Sequence, residues 1–153
     1  MPDPHRATPR IALAFDYGRR RIGMAAGDTL TATAAPRPAV AAQNGVADWT
    51  AISREIRALS PHVLIVGVPY NADGSDSSLA PAARDFGREL GVRFALPVEH
   101  VDEHGSSLEA GLVLKDQRAS GQRRRRVQRA DIDSAAAAVI LARWLAGEGD
   151  RKT

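Results

Sequence analysis

The 153-residue chain contains no cysteine. Disulfides, thiolate metal sites and cysteine nucleophiles are thereby excluded, and any metal chemistry falls to oxygen and imidazole ligands, which suit hard divalent cations. Aromatic residues are scarce as well, at 5% of the chain. A sheet face tiled with rings for base stacking is therefore not expected, and any nucleic-acid binding would be mainly electrostatic. No apolar run approaches the about 18 residues that a membrane span needs, and the opening stretch MPDPHRATPR lacks the apolar centre of a secretory signal. A cytoplasmic protein without a membrane partner is expected.

What is present reads as an ordinary globular chain, with 44% hydrophobic and 25% charged residues. At roughly 150 residues per domain the length predicts one domain. Residues 1–9, proline-rich and without apolar periodicity, read as a flexible leader, residues 10–147 as a single domain and residues 148–153 as a flexible tail. There is no internal repeat.

Ile11 to Phe15 is continuously apolar and short, the pattern of a central strand covered on both faces, and it ends abruptly at Asp16. Tyr17, Gly18 and the arginines predict a turn, Ile22–Gly27 a second strand and Thr31–Ala35 a weaker third, together an antiparallel meander. Asp48 predicts the cap of a helix carrying Trp49, Ile52, Ile56 and Leu59 at helical spacing, stopped by Pro61. Val63–Val68 then reads as a strand parallel to the first, because a helix precedes it. A polar loop from Pro69 to Ser78 leads into a helix with Leu79, Ala83, Phe86 and Leu90 on one side, closed by Gly91. Arg93–Val101 is predicted as a last strand, at the sheet edge because of Pro97. A helix from about Leu108 to Lys115 follows, and Ser106 with Glu109 matches a capping box. Ile132–Leu145, apolar almost all round, predicts a largely buried final helix with Asp131 as its cap. The order is βββαβαβαα: an α/β layered fold with a mixed five-stranded sheet, three antiparallel strands followed by two parallel ones, flanked by helices.

Lysine and arginine exceed aspartate and glutamate by 21 to 18, a net charge of +3. The distribution is uneven, with dense runs at Arg19, Arg20, Arg21 and at Arg123, Arg124, Arg125, Arg126. Such runs either form solvated loops or bind phosphate-rich partners, whose condensed counterions are released on neutralisation. Three carboxylates border the predicted core: Asp16 at the end of the central strand, Glu103 after the last strand and Asp133 in the first turn of the buried helix. Parallel strands project their carboxyl ends to one edge, so Asp16 and Glu103 can converge there, and Asp133 completes the cluster if its helix docks across that edge. Clustered carboxylates repel unless a cation neutralises them, and oxygen-only ligation suits Mg²⁺ or Mn²⁺. Two such ions would clamp the attacking and leaving oxygens of a phosphodiester. Each residue also has a structural reading: Asp16 as a turn cap, Glu103 or its neighbour Asp102 as a surface charge, and Asp133 as a carboxylate favoured near the helix N-terminus. His104 is a polar loop residue or a general acid.

Phe15-Asp16-Tyr17-Gly18 with Arg21-Ile22-Gly23-Met24-Ala25, the stretch Ile65 to Ser75, Asp102-Glu103, Ser106-Ser107-Leu108-Glu109-Ala110 and Ile132-Asp133-Ser134-Ala135 follow one another in this order. As a set, from about Ile11 to Leu145, they resemble the YqgF (RuvX-like) family. The resemblance implies an RNase H-like three-layer fold and a metal-dependent nuclease, associated with 5′-end maturation of pre-16S ribosomal RNA or with Holliday-junction resolution. It implies catalytic and metal-binding roles for Asp16, Glu103 and Asp133, with Mg²⁺ or Mn²⁺ as cofactor, as two ions. It further implies a nucleic-acid partner, pre-rRNA or branched DNA, ribosomal precursor particles as a setting, and action as a monomer or homodimer. Where the family carries arginine after the Asp-Glu pair, this chain has His104. Arg19–Arg21, Asn71 and Arg123–Arg126 are the expected contacts to nucleic acid, made to the backbone rather than to bases. The Asp16 motif also resembles the phosphate loop of actin-like ATPases, which need a second such domain that 153 residues do not provide. A non-catalytic rRNA-binding assembly module is the remaining rival.

Overall fold

The computed structural model describes residues 10–69, 78–102 and 129–147, excepting the side chains at 102 and 129–133. Its elements are β1 (Ile11–Asp16), β2 (Arg21–Asp28), β3 (Thr33–Gln43), β4 (Val46–Ala47), α1 (Trp49–Leu59), β5 (Val63–Val68), α2 (Ala80–Phe94), β6 (Val98–Asp102) and α3 (Arg129–Leu145). The strands form one mixed sheet in the order β4-β3-β2-β1-β5-β6. β1, β2 and β3 make the antiparallel meander, while β5 lies parallel to β1 and β6 parallel to β5. None of the described helices is long and apolar enough to cross a membrane.

β1 and β5 are the central strands, and alternation sends their side chains to two separate cores. Leu13, Phe15, Leu64 and Val66 join Ile52 and Ile56 of α1 and Phe86 and Leu90 of α2 on one face. Ala12, Ala14, Val63 and Ile65 join Ala137, Ile140, Leu141 and Trp144 of α3 on the other. Alanines at 12, 14 and 25 keep that second face low, so α3 can approach the strands closely. Each fully buried Leu, Ile or Phe contributes about 1.5–3 kcal/mol. The result is three layers, helices over both faces of a sheet.

Five features differ from the sequence reading. The sheet has six strands among the described residues, not five, because Asn44 and Gly45, both at positive φ, turn β3 back into the two-residue β4. β3 runs from Thr33 to Gln43 rather than over Thr31–Ala35, passing through Pro36 and Pro38. Only Ala42 and Gln43 pair with β4, so most of β3 is an edge, where proline is tolerated. α2 continues past Gly91 to Phe94 and is capped by Ala95 in the left-handed region, its N–H bonded to the Gly91 carbonyl at 3.0 Å. Gly91 is an interior position of the helix, where an added Cβ would meet Cγ2 of Val98 in β6 at 3.5 Å, an ordinary van der Waals contact. β6 accordingly begins at Val98, at the sheet edge as expected. Lastly, α3 starts at Arg129, so Asp131 lies within the helix and Asp133 is its fifth residue. Arginine and alanine are strong helix formers, which extended the helix upstream of the best capping side chain. The helix expected over Leu108–Lys115 lies outside the described residues.

Candidate nucleic-acid processing edge

Asp16 is the last residue of β1, and its partner across the hairpin is Gly23 of β2. It is only 8% exposed, and among the described residues it is the one buried acidic side chain. A carboxylate held there costs free energy unless charge or hydrogen bonding compensates it. In the parallel register Phe15 pairs with Val66, and Gly67 pairs with Val101 of β6. Asp16 therefore stands level with Gly67 and Val101 at the carboxyl edge of the parallel strands. Alternation puts it on the face of Ala12 and Ala14, the face that α3 covers.

The turn that follows Asp16 is held from two sides. Tyr17 is buried on the opposite face against Phe86, with ring centroids 5.2 Å apart, and its hydroxyl donates to the carbonyl of Gly45 at 2.6 Å. Gly18 passes so close to the strand that an added Cβ would lie 2.5 Å from the Arg21 carbonyl oxygen. Arg19 and Arg20 are exposed at the tip, while their carbonyls accept from Gly45 and Ala42 at 3.2 and 2.9 Å. Backbone bonds fix this hairpin and leave the Arg19 and Arg20 side chains facing solvent beside Asp16. Arg21 opens β2, paired with Ala41.

α3 crosses the same face. Ser134 is 5% exposed and donates its hydroxyl to the carbonyl of Arg37 at 2.7 Å. At the other end the Trp144 indole donates to Glu99 of β6 at 3.1 Å, and Arg10 lies over its ring at 5.5 Å. Asp133, in the helix turn beside Ser134, is thus carried by a helix anchored to β3 and β6, though its side chain lies outside what is described. Glu103 follows Asp102, the last residue of β6, and lies outside the described residues, as do Asn71 and Arg123–Arg126. Among the described residues no three Asp, Glu or His side chains gather into a metal-binding group; of the expected carboxylate trio, only the Asp16 side chain falls within them.

Sequence reasoning missed Tyr17, Gly45 and Ser134, the groups that hold the hairpin and α3. The Asn44-Gly45 dipeptide was the available signal, being the commonest short-hairpin sequence. Nothing local marks Ser134, whose partner is 97 residues away.

Known proteins resemble this chain over nearly its whole length. The family model described as "RuvX: Holliday junction resolvase" matches residues 10–147. A Coxiella burnetii protein named "Putative pre-16S rRNA nuclease" is 44% identical over 135 residues, covering 88% of this chain and 92% of that protein. Proteins of the same name from Azotobacter vinelandii and Legionella pneumophila are each 41% identical, covering 90% and 88% of this chain and 94% of each relative. Among solved structures, Thermus thermophilus RuvC in complex with a Holliday junction substrate superposes with a TM-score of 0.54 at 10% identity, covering 90% of this chain and 94% of that one. That likeness establishes an RNase H-like fold.

Proposed function

This chain belongs to the RuvX family, and we propose that it is a divalent-metal-dependent nuclease that hydrolyses phosphodiester bonds in 5′-end maturation of pre-16S rRNA. The observation that carries the reading is the buried carboxylate of Asp16 at the carboxyl edge of the parallel strands. Relatives at 41–44% identity carrying the pre-16S rRNA nuclease name support the substrate. The setting would be the cytoplasm, on ribosomal precursor particles, with the protein acting as a monomer or homodimer.

The donor set fits a hard cation: carboxylate oxygen, with no thiolate in the chain. Asp16, Glu103 and Asp133 would hold it as Mg²⁺ or Mn²⁺, in a two-ion site. When bound, such ions lower the pKa of water and stabilise a departing oxyanion. The chain's own contribution is positional. Asp16 is fixed by the β1–β2 ladder, and the exposed Arg19 and Arg20 beside it, with Arg21, would hold flanking phosphates. Arg123–Arg126 and Asn71 would extend that backbone contact, which gives register without reading bases.

The test is cleavage of matched pre-rRNA leader, RNA–DNA hybrid and four-way DNA junction, each with Mg²⁺, Mn²⁺ and chelator. Wild-type protein is expected to cleave the leader only with metal, and Asp16→Asn to lose at least about 100-fold in rate while still binding RNA. Cleavage that survives Asp16→Asn overturns the reading. RNA binding without any cleavage identifies an assembly module instead. A second reading, junction resolution, is favoured by the family's description and requires that the junction be cut in preference to the leader.

A further inference from the structure

Two polar side chains are buried among the described residues, Asp16 and Ser134. Asp16 lies on the face that α3 covers and Ser134 on α3 itself, toward the same end of the sheet. The sheet is irregular at that point. Ile22 pairs with Val40 but Met24 pairs with Arg37, so three steps along β3 oppose two along β2. The extra residue makes a bulge opposite Gly23, and Gly23 is the register partner of Asp16. Pro38 sits inside the bulge without an N–H to offer a ladder. The Arg37 carbonyl just before it accepts the Ser134 hydroxyl at 2.7 Å. Helical serines commonly return their hydroxyl to a carbonyl one turn back; this one reaches the sheet instead. The Arg37 guanidinium is in turn paired with Glu55 of α1, so the bulge is held from the other layer too.

From this geometry we infer that Ser134 is a positioning residue: its bond to the bulged carbonyl sets the rotation and height of α3 over β3, and with them the place of Asp133 relative to Asp16. The inference rests on the nuclease reading of Asp16 and Asp133. Successive helical residues are about 100° apart, so a fixed Ser134 also fixes where the backbone of residue 133 lies over the sheet. Misplacing a reacting constellation by about 1 Å can cost around 100-fold in rate.

The experiment compares wild type, Ser134→Ala, Ser134→Thr and Asp16→Asn by leader cleavage, Mn²⁺ calorimetry and thermal melting. Ser134→Ala is expected to lower kcat by roughly 10–100-fold and weaken Mn²⁺ binding by about 10-fold, with KM for RNA unchanged. Ser134→Thr, which keeps the hydroxyl, restores most of both. If Ser134→Ala fails to fold, Ser134→Cys, with similar volume and a weak donor, is read in its place with the same expectation. Mn²⁺ affinity and kcat within about twofold of wild type, or equal losses in the Ala and Thr variants, overturn the inference. Cleavage that survives Asp16→Asn instead overturns the nuclease reading, and Mn²⁺ calorimetry then decides the positional claim alone. Wild-type protein that binds no Mn²⁺ overturns that claim.

Discussion

The phenol of Tyr17 donates to the carbonyl of Gly45 at 2.6 Å, binding the residue after Asp16 to the β3–β4 hairpin 28 positions away. Removing the hydroxyl in Tyr17→Phe leaves the ring against Phe86 but strands the Gly45 carbonyl. The expected loss is about 1 kcal/mol of stability, a fall of roughly 2–4 °C in Tm for a chain of this size. Thermal unfolding followed by circular dichroism checks it.

Gly18→Ala should be more damaging than its size suggests. The added methyl would sit 2.5 Å from the Arg21 carbonyl oxygen, and backbone rather than a flexible side chain must yield. A cost of about 1–3 kcal/mol is expected, together with a loss of leader cleavage, because the turn that moves begins at Asp16. Urea unfolding and cleavage assays on one preparation separate the two effects.

Trp144→Phe removes the donor to Glu99 and part of the ring over which Arg10 lies. The Glu99 carboxylate also lies 3.7 Å from Arg10, so it keeps one partner. The expected loss is about 1.5–3 kcal/mol, read as a lower urea midpoint. Hydrogen exchange should accelerate in the last turns of α3.

Asp28 gives a pH dependence of defined sign. Its carboxylate accepts from the backbone N–H of Thr31 at 2.8 Å and from the Thr31 hydroxyl at 3.0 Å, and the backbone bond first, then the hydroxyl, hold its pKa below the usual value. A carboxyl depressed in the folded state stabilises above its unfolded pKa and loses that contribution as pH falls through the folded one. The turn between β2 and β3 should therefore be intact at neutral pH and loosen only at strongly acid pH. An NMR titration of Asp28 with the Thr31 amide as reporter tests this, and Asp28→Asn should flatten the dependence.

The meander, the parallel strand after α1 and the buried last helix were readable from the chain because each is a local pattern. Ile11–Phe15 is apolar throughout because two helix layers cover it, and Asp48 caps α1 as its side chain predicts, accepting from Ala51 at 3.1 Å. The misreadings came from tertiary demands. Gly91 looks like a terminator, yet the helix runs through it to Phe94 and Ala95 takes the left-handed capping conformation instead. Pro36 and Pro38 look like strand breakers, yet an edge strand absorbs them. Asp16 stood out as a candidate because a charge after an uninterrupted core strand is costly, whereas Ser134 is chemically ordinary until the bulge in β3 gives its hydroxyl an acceptor.

The prolines of β3 carry one more consequence. A strand from another molecule, seeking to add itself along the outer flank of this sheet, would find two missing rungs within three residues, because neither Pro36 nor Pro38 carries an amide proton. The sheet is thereby protected against lateral growth, and self-association that proceeds by strand addition is disfavoured on this side.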